Sequence, residues 1–161
     1  MPSLPDKADL KRELASLLTR DHDKLEGAYR ATREGATHEE AKPENDKDTR
    51  ALEQSYLARG QALRIEELRT GLVEVESMTL RAFGPEAPAA MGALVTVLQD
   101  DVTSLMFLAP HGGGTRIAAG TVQVVTPRSP LGLALLGKRA GDDGVVTVAG
   151  KVRELSIVSV Q

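Results

Sequence analysis

Glu39, Glu40, Glu44, Asp46 and Asp48 place five carboxylates within ten residues, around a proline at position 43. Oxygen-only ligands at such density suit Mg²⁺, a hard cation that takes one or two carboxylates and completes its shell with water and phosphate. A solvated turn needs some charge, but not this much at one point, so the stretch is the candidate working end of the chain. His38 stands beside it as a lone histidine with no paired ligand, which argues against a zinc-type site there.

These carboxylates must be positioned by the segments on either side, and both are patterned for helix. Leu10, Leu14, Leu17, Leu18 and Leu25, then Ala28 and Tyr29, recur at three- and four-residue steps and predict an apolar stripe along a first helix. After the acidic stretch the pattern resumes with Leu52, Tyr56, Leu63, Ile65, Leu68, Leu72 and Val75, the last four at the steps of a heptad seam. Two amphipathic helices joined by a turn predict an antiparallel hairpin that buries one stripe against the other. A second helix from about Asn45 to Ser77 would run roughly 45–50 Å at 1.5 Å per residue. That exceeds what a small globular domain needs, so the hairpin is expected to project. Gly27, Gly60 and Gly71 fall inside these helices, each costing roughly 1 kcal/mol relative to alanine.

Asn45 is placed to cap the second helix. Asp46 and Asp48 would then lie in its first turn, where carboxylates oppose the helix dipole favourably, so capping explains them better than metal binding does. Glu44 precedes the cap and has no such structural role. Glu39 and Glu40 divide evenly between a solvated loop and a functional role.

The pattern changes near residue 80. Gly84-Pro85-Glu86-Ala87-Pro88 reads as a linker or turn. Short β-branched runs follow at 93–98, 121–125, 144–148 and 155–160, with Ser104–Leu108 a further strand candidate. Ser129-Pro130-Leu131 through Gly137 predicts one short helix, with Ser129 as cap and Pro130 in the first turn. The Gly112-Gly113-Gly114 run is not followed by the Lys-Ser/Thr pair of a phosphate loop and reads as a flexible hairpin connection. The expectation is an α+β chain, with a helical hairpin over 1–79, its acidic tip at about 36–48, and a small sheet domain over 80–161.

Composition narrows the function classes. The formal net charge of −3 argues against a general grip on nucleic-acid phosphates. The four aromatic residues, Tyr29, Tyr56, Phe83 and Phe107, are too few for a base-stacking surface. The absence of cysteine excludes thiolate metal sites and disulfides and suits a reducing, cytoplasmic setting. The early charged residues do not make a signal peptide, and no apolar run is long enough to span a membrane.

The two halves, in this order, resemble the Gre-type transcript elongation factors of bacteria. Gly92-Ala93-Leu94-Val95-Thr96-Val97-Leu98 resembles the first strand of the Gre C-terminal domain. Ser129-Pro130-Leu131-Gly132-Leu133-Ala134-Leu135-Leu136-Gly137-Lys138, then Asp142-Asp143-Gly144-Val145-Val146-Thr147-Val148, resembles its most recognisable stretch. The terminal Leu155–Gln161 matches the last strand in kind. Glu44-Asn45, with Ala51 and Glu53-Gln54 downstream, resembles the opening of the second coiled-coil helix. The likeness covers nearly the whole chain, specifically in the C-terminal half and more loosely along the hairpin.

The resemblance implies an FKBP-like C-terminal domain docked at the rim of the RNA polymerase secondary channel, with Lys138 and Arg139 at a candidate docking corner. It implies a coiled coil that enters the channel and brings acidic tip residues to the polymerase active site. There Glu44, with Glu40 or Glu39, would help hold a second Mg²⁺ and a water while the polymerase cleaves the 3′ end of backtracked RNA. The chain would have no cofactor of its own and would not itself be an enzyme. A single apolar seam is compatible with a monomer. One position departs from the family: cleaving members carry an Asp three residues before the Glu-Asn pair, and here that position is Ala41. The turn is also longer than the usual one, which leaves Glu39 or Glu40 to serve in its place. The alternative is a Gre-like regulator that occupies the channel without promoting cleavage. A prolyl isomerase on the FKBP-like domain is a weaker reading, because its pocket would need more aromatic walls than Phe83 and Phe107 provide.

Overall fold

In the computed structural model, residues 3–40 and 46–161 are described, with side chains described for residues 3–35 and 49–161. The elements are α1 (Lys7–Glu40), α2 (Asp46–Ser77), β1 (Leu94–Gln99), β2 (Val102–Leu108), β3 (Arg116–Ile117), β4 (Val122–Val125), α3 (Pro130–Leu135), β5 (Asp143–Val148) and β6 (Lys151–Val160). The chain divides into two compact units, Met1–Ala15 with Val73–Gln161, and Ser16–Leu72.

The second unit is the two-helix hairpin. On α1, Leu18 is buried and Leu25 and Tyr29 are half-buried, whereas Ala28 is exposed. On α2 the seam is set by Ile65, Leu68 and Leu72 and continues towards the tip at three- and four-residue steps through Gln61, Ala58, Gln54 and Ala51, all half-buried. Leu52, Tyr56 and Leu63, expected on the stripe, are 54%, 64% and 61% exposed. The heptad explains the difference. Extending the steps of Ile65, Leu68 and Leu72 backwards lands on the glutamines and alanines, and puts the three large apolar residues on the opposite face.

In the first unit the sheet runs β3-β4-β2-β1-β6-β5, antiparallel except for the parallel pair β2–β4. Two-residue turns close the β1–β2 and β5–β6 hairpins. Asp100 and Asp101, and then Ala149 and Gly150, take the left-handed conformation that such turns require. Because β2 and β3 are not neighbours, Gly112–Gly114 is not a hairpin connection. The segment instead carries the crossover between parallel β2 and β4, with Gly114 N–H bonded to Val124 O at 2.9 Å. The short β3 lacked any sequence signal; two residues are too few to show alternation.

Alternation divides the buried residues between the sheet's two faces. Val95, Val97, Met106, Val125, Leu155 and Ile157 belong to one core cluster with Ala134 and Leu135 of α3. Leu94, Phe107 and Val124 stand in one cross-strand row on the other face and are also fully buried, as are Leu10 and Leu14 of α1 and Val75 of α2. α3 begins as its sequence predicts: the Ser129 hydroxyl accepts from Gly132 N–H at 3.0 Å and donates to Thr126 O at 2.8 Å. Gly132 is required there, since an added Cβ would fall 1.8 Å from Thr126 O.

Candidate functional site

The helix bounds sort the acidic residues. Glu39 and Glu40 are the last two residues of α1, and Asp46 and Asp48 fall in the first turn of α2. Ala41, Glu44 and Asn45 lie outside the described residues, as do the side chains of His38, Glu39, Glu40, Asp46 and Asp48. The backbone ends differ electrostatically: α2 begins with the partial positive charge of a helix N-terminus and α1 ends with the partial negative charge of a C-terminus. By residue type alone, Glu39, Glu40 and Glu44 are oxygen donors of the kind that suit Mg²⁺.

Lys138 and Arg139 follow α3 on a corner that the backbone fixes. Ala89 N–H donates to Lys138 O at 2.7 Å, Gly137 N–H donates to Ala89 O at 2.8 Å, and Arg139 N–H donates to an Asp142 carboxylate oxygen at 2.8 Å. Lys138 is half-buried and Arg139 exposed. The corner therefore presents the exposed Arg139 guanidinium from a hydrogen-bonded turn.

The hairpin holds a group that the sequence reading passed over. His22 Nδ1 lies 3.1 Å from an Asp23 carboxylate oxygen, and one donor atom each from His22, Asp23 and Glu26 falls within 4.8 Å of the others. The His22–Glu26 spacing of i, i+4 on one helix was the available signal. Arg30 stands 3.7 Å from Glu26 and competes for that carboxylate. His22 also belongs to a polar set in the hairpin: His22 Nε2, Gln54 Oε1 and Gln61 Oε1 are buried without a hydrogen-bond partner.

Phe83 and Phe107 are both engaged in packing. Phe107 is fully buried in the sheet. Phe83 packs against the core cluster and is flanked by two cations, Lys7 Nζ at 4.7 Å and Arg81 Cζ at 4.8 Å from its ring centre. Burial and the Arg81 charge lower the Lys7 pKa from its ordinary value. A cleft of about 550 Å³ nearby is lined by residues that include Ser77, Met78, Ala90, Met91 and Pro110, and by neither phenylalanine. That cleft therefore has no aromatic wall.

The chain is similar to solved structures of Gre-type factors over most of its length. GreA factor homolog 1 of Thermus thermophilus matches at 18% identity, over 94% of this chain and 94% of that one, with a TM-score of 0.39. The corresponding factor of Thermus aquaticus matches at 18% identity over 86% and 92%, with a TM-score of 0.41. A GreA/GreB transcription elongation factor from Nitrosomonas europaea matches at 18% identity over 58% and 78%, with a TM-score of 0.37. No protein-family model and no curated protein matches the sequence. Among the described residues, no helix is long and apolar enough to cross a membrane.

Proposed function

We propose that this chain is a Gre-like transcription elongation factor that binds bacterial RNA polymerase, inserts its acidic tip into the secondary channel and stimulates cleavage of backtracked RNA. The observation that carries the reading is the position of the acidic stretch. In the sequence it falls between helices of 34 and 32 residues, each about 50 Å long at 1.5 Å per residue, which supports a reading in which the carboxylates are carried at the end of a long hairpin. In this reading Glu44, with Glu40 or Glu39, offers oxygen ligands for a Mg²⁺ supplied at the polymerase active site. Such an ion contributes Lewis-acid stabilisation of the attacking and leaving oxygens in two-metal phosphoryl chemistry. The chain's own part is to place the carboxylates and to orient a water near the RNA 3′ end. Lys138 and Arg139 dock the sheet domain against the polymerase. The chain works as a cofactor protein of the polymerase endonuclease, not as an enzyme by itself.

One residue favours a second reading. Ala41 stands where cleaving Gre factors carry an acid, and an alanine cannot ligate a metal. A factor that occupies the channel without promoting cleavage would need only the hairpin. Backtracked elongation complexes separate the two. Release of short 3′ RNA fragments on adding the protein supports the first reading. Binding with slowed synthesis and no fragments supports the second. Failure to bind polymerase contradicts both.

A further inference from the structure

The sheet has two edges, and they are protected unequally. β3 is two residues long and offers little backbone to pair with. β5 runs six residues, and from Gly144 to Val148 it contains no charge and no proline, the usual means of blocking an edge. Its residues Asp143, Val145, Thr147 and Val148 are all exposed. Ile157 N–H bonds to Asp142 O at 2.8 Å, and alternation along the strand from that bond turns the backbone groups of Asp143, Val145 and Thr147 towards the open edge.

We propose that β5 is a self-association surface, on which a second copy of this chain adds its own β5 in antiparallel register. A two-fold axis through Val145 makes Val145 face its symmetry mate and sets Asp143 opposite Thr147 of the other copy. In the same register Asp142 opposes the other copy's Val148, whose neighbour across the β5–β6 hairpin is Lys151. Two strand spacings separate Asp142 from that lysine, about 10 Å, a span the lysine side chain covers. Lys151 has no ion-pair partner among the described residues. Two-fold pairing thus matches an acidic strand end with a basic one, twice. A single six-residue strand buries less than the roughly 1,200 Å² of a standard interface, so the association is reversible and concentration-dependent. This surface is independent of the proposed polymerase function.

Sedimentation velocity from micromolar to millimolar protein tests it. The wild-type mass should rise reversibly towards that of two chains. Val145→Lys opposes like charges at the axis and should weaken association about tenfold or more. Thr147→Lys, at another exposed position of the same strand, opposes Asp143 and should leave association as tight or tighter. A wild type that stays a single chain at millimolar concentration overturns the proposal. So does a Val145→Lys protein that associates as the wild type does, or a loss in Thr147→Lys equal to that in Val145→Lys. Unchanged thermal melts verify that both variants fold.

Discussion

The carboxylate of Glu13 accepts a hydrogen bond from the backbone N–H of Ala118 at 2.9 Å, joining residues 105 positions apart. Ala118 has a φ of +52°, a left-handed conformation uncommon for a residue with a side chain. The contact ties the first turns of α1 to the β3–β4 turn and satisfies an N–H that the sheet does not use. Glu13→Ala should destabilise the protein by about 1 kcal/mol, with Glu13→Gln retaining part of the bond. Urea unfolding midpoints of the two variants check the order.

Gly112 meets α1 even more closely. Its φ is +86°, and a Cβ there would lie 2.7 Å from Leu14 Cδ1. Gly112→Ala combines backbone strain with a clash against a fully buried leucine, and should cost about 1–3 kcal/mol. Shortening the leucine in the Gly112→Ala, Leu14→Ala double variant should cost less than the two single losses added together, which a double-mutant cycle would show.

The half of the α2 seam nearest the tip is weakly packed. Gln54 and Gln61 occupy heptad positions with buried, unpartnered carbonyl oxygens. Replacing either with leucine removes that penalty and adds apolar burial, so each change should stabilise the hairpin by about 1–2 kcal/mol. Hydrogen exchange should show residues 51–61 opening more readily than 65–75 in the wild type, with the difference narrowed in Gln61→Leu.

Lys7 gives a pH signature of definite sign. It donates to Arg81 O at 2.6 Å and lies over Phe83, yet burial first and the Arg81 charge second lower its pKa. In the alkaline range between that lowered pKa and the unfolded value, the unfolded chain binds more protons, so the Lys7 contribution to stability rises with pH. Below the folded pKa the cost of holding the charge is fully present. The stability difference between wild type and Lys7→Met should therefore shift in favour of the wild type as pH rises towards 10.5. Denaturant titrations of both proteins across the alkaline range measure it.

Local signals with several reinforcing residues were legible in the sequence. Ser129-Pro130 marked the start of α3, four β-branched runs marked β1, β4, β5 and the later part of β6, Ser104–Leu108 marked β2, and the leucine steps marked both long helices. What stayed hidden depends on partners distant in sequence. β3 exists because β4 pairs with it, not because Arg116 and Ile117 favour a strand. The exposure of Leu52, Tyr56 and Leu63 follows from a heptad phase fixed farther along α2, which local hydrophobicity does not reveal. At the tip, the sequence identifies the acidic residues and the helix bounds divide them, but Glu44 lies outside the described residues. Its role rests on charge, position and resemblance.

The most direct test of that role is the initial rate of 3′ RNA fragment release from a backtracked elongation complex at fixed Mg²⁺. Wild type should accelerate release. Glu44→Ala should reduce the acceleration about tenfold or more, the loss expected on removing a stabilising charge from a transition state. A Glu39→Ala, Glu40→Ala double variant should fall as well, if those residues serve in place of the acid missing at Ala41. Full acceleration by Glu44→Ala, or none by the wild type, would contradict the assignment of the tip as the working end in cleavage.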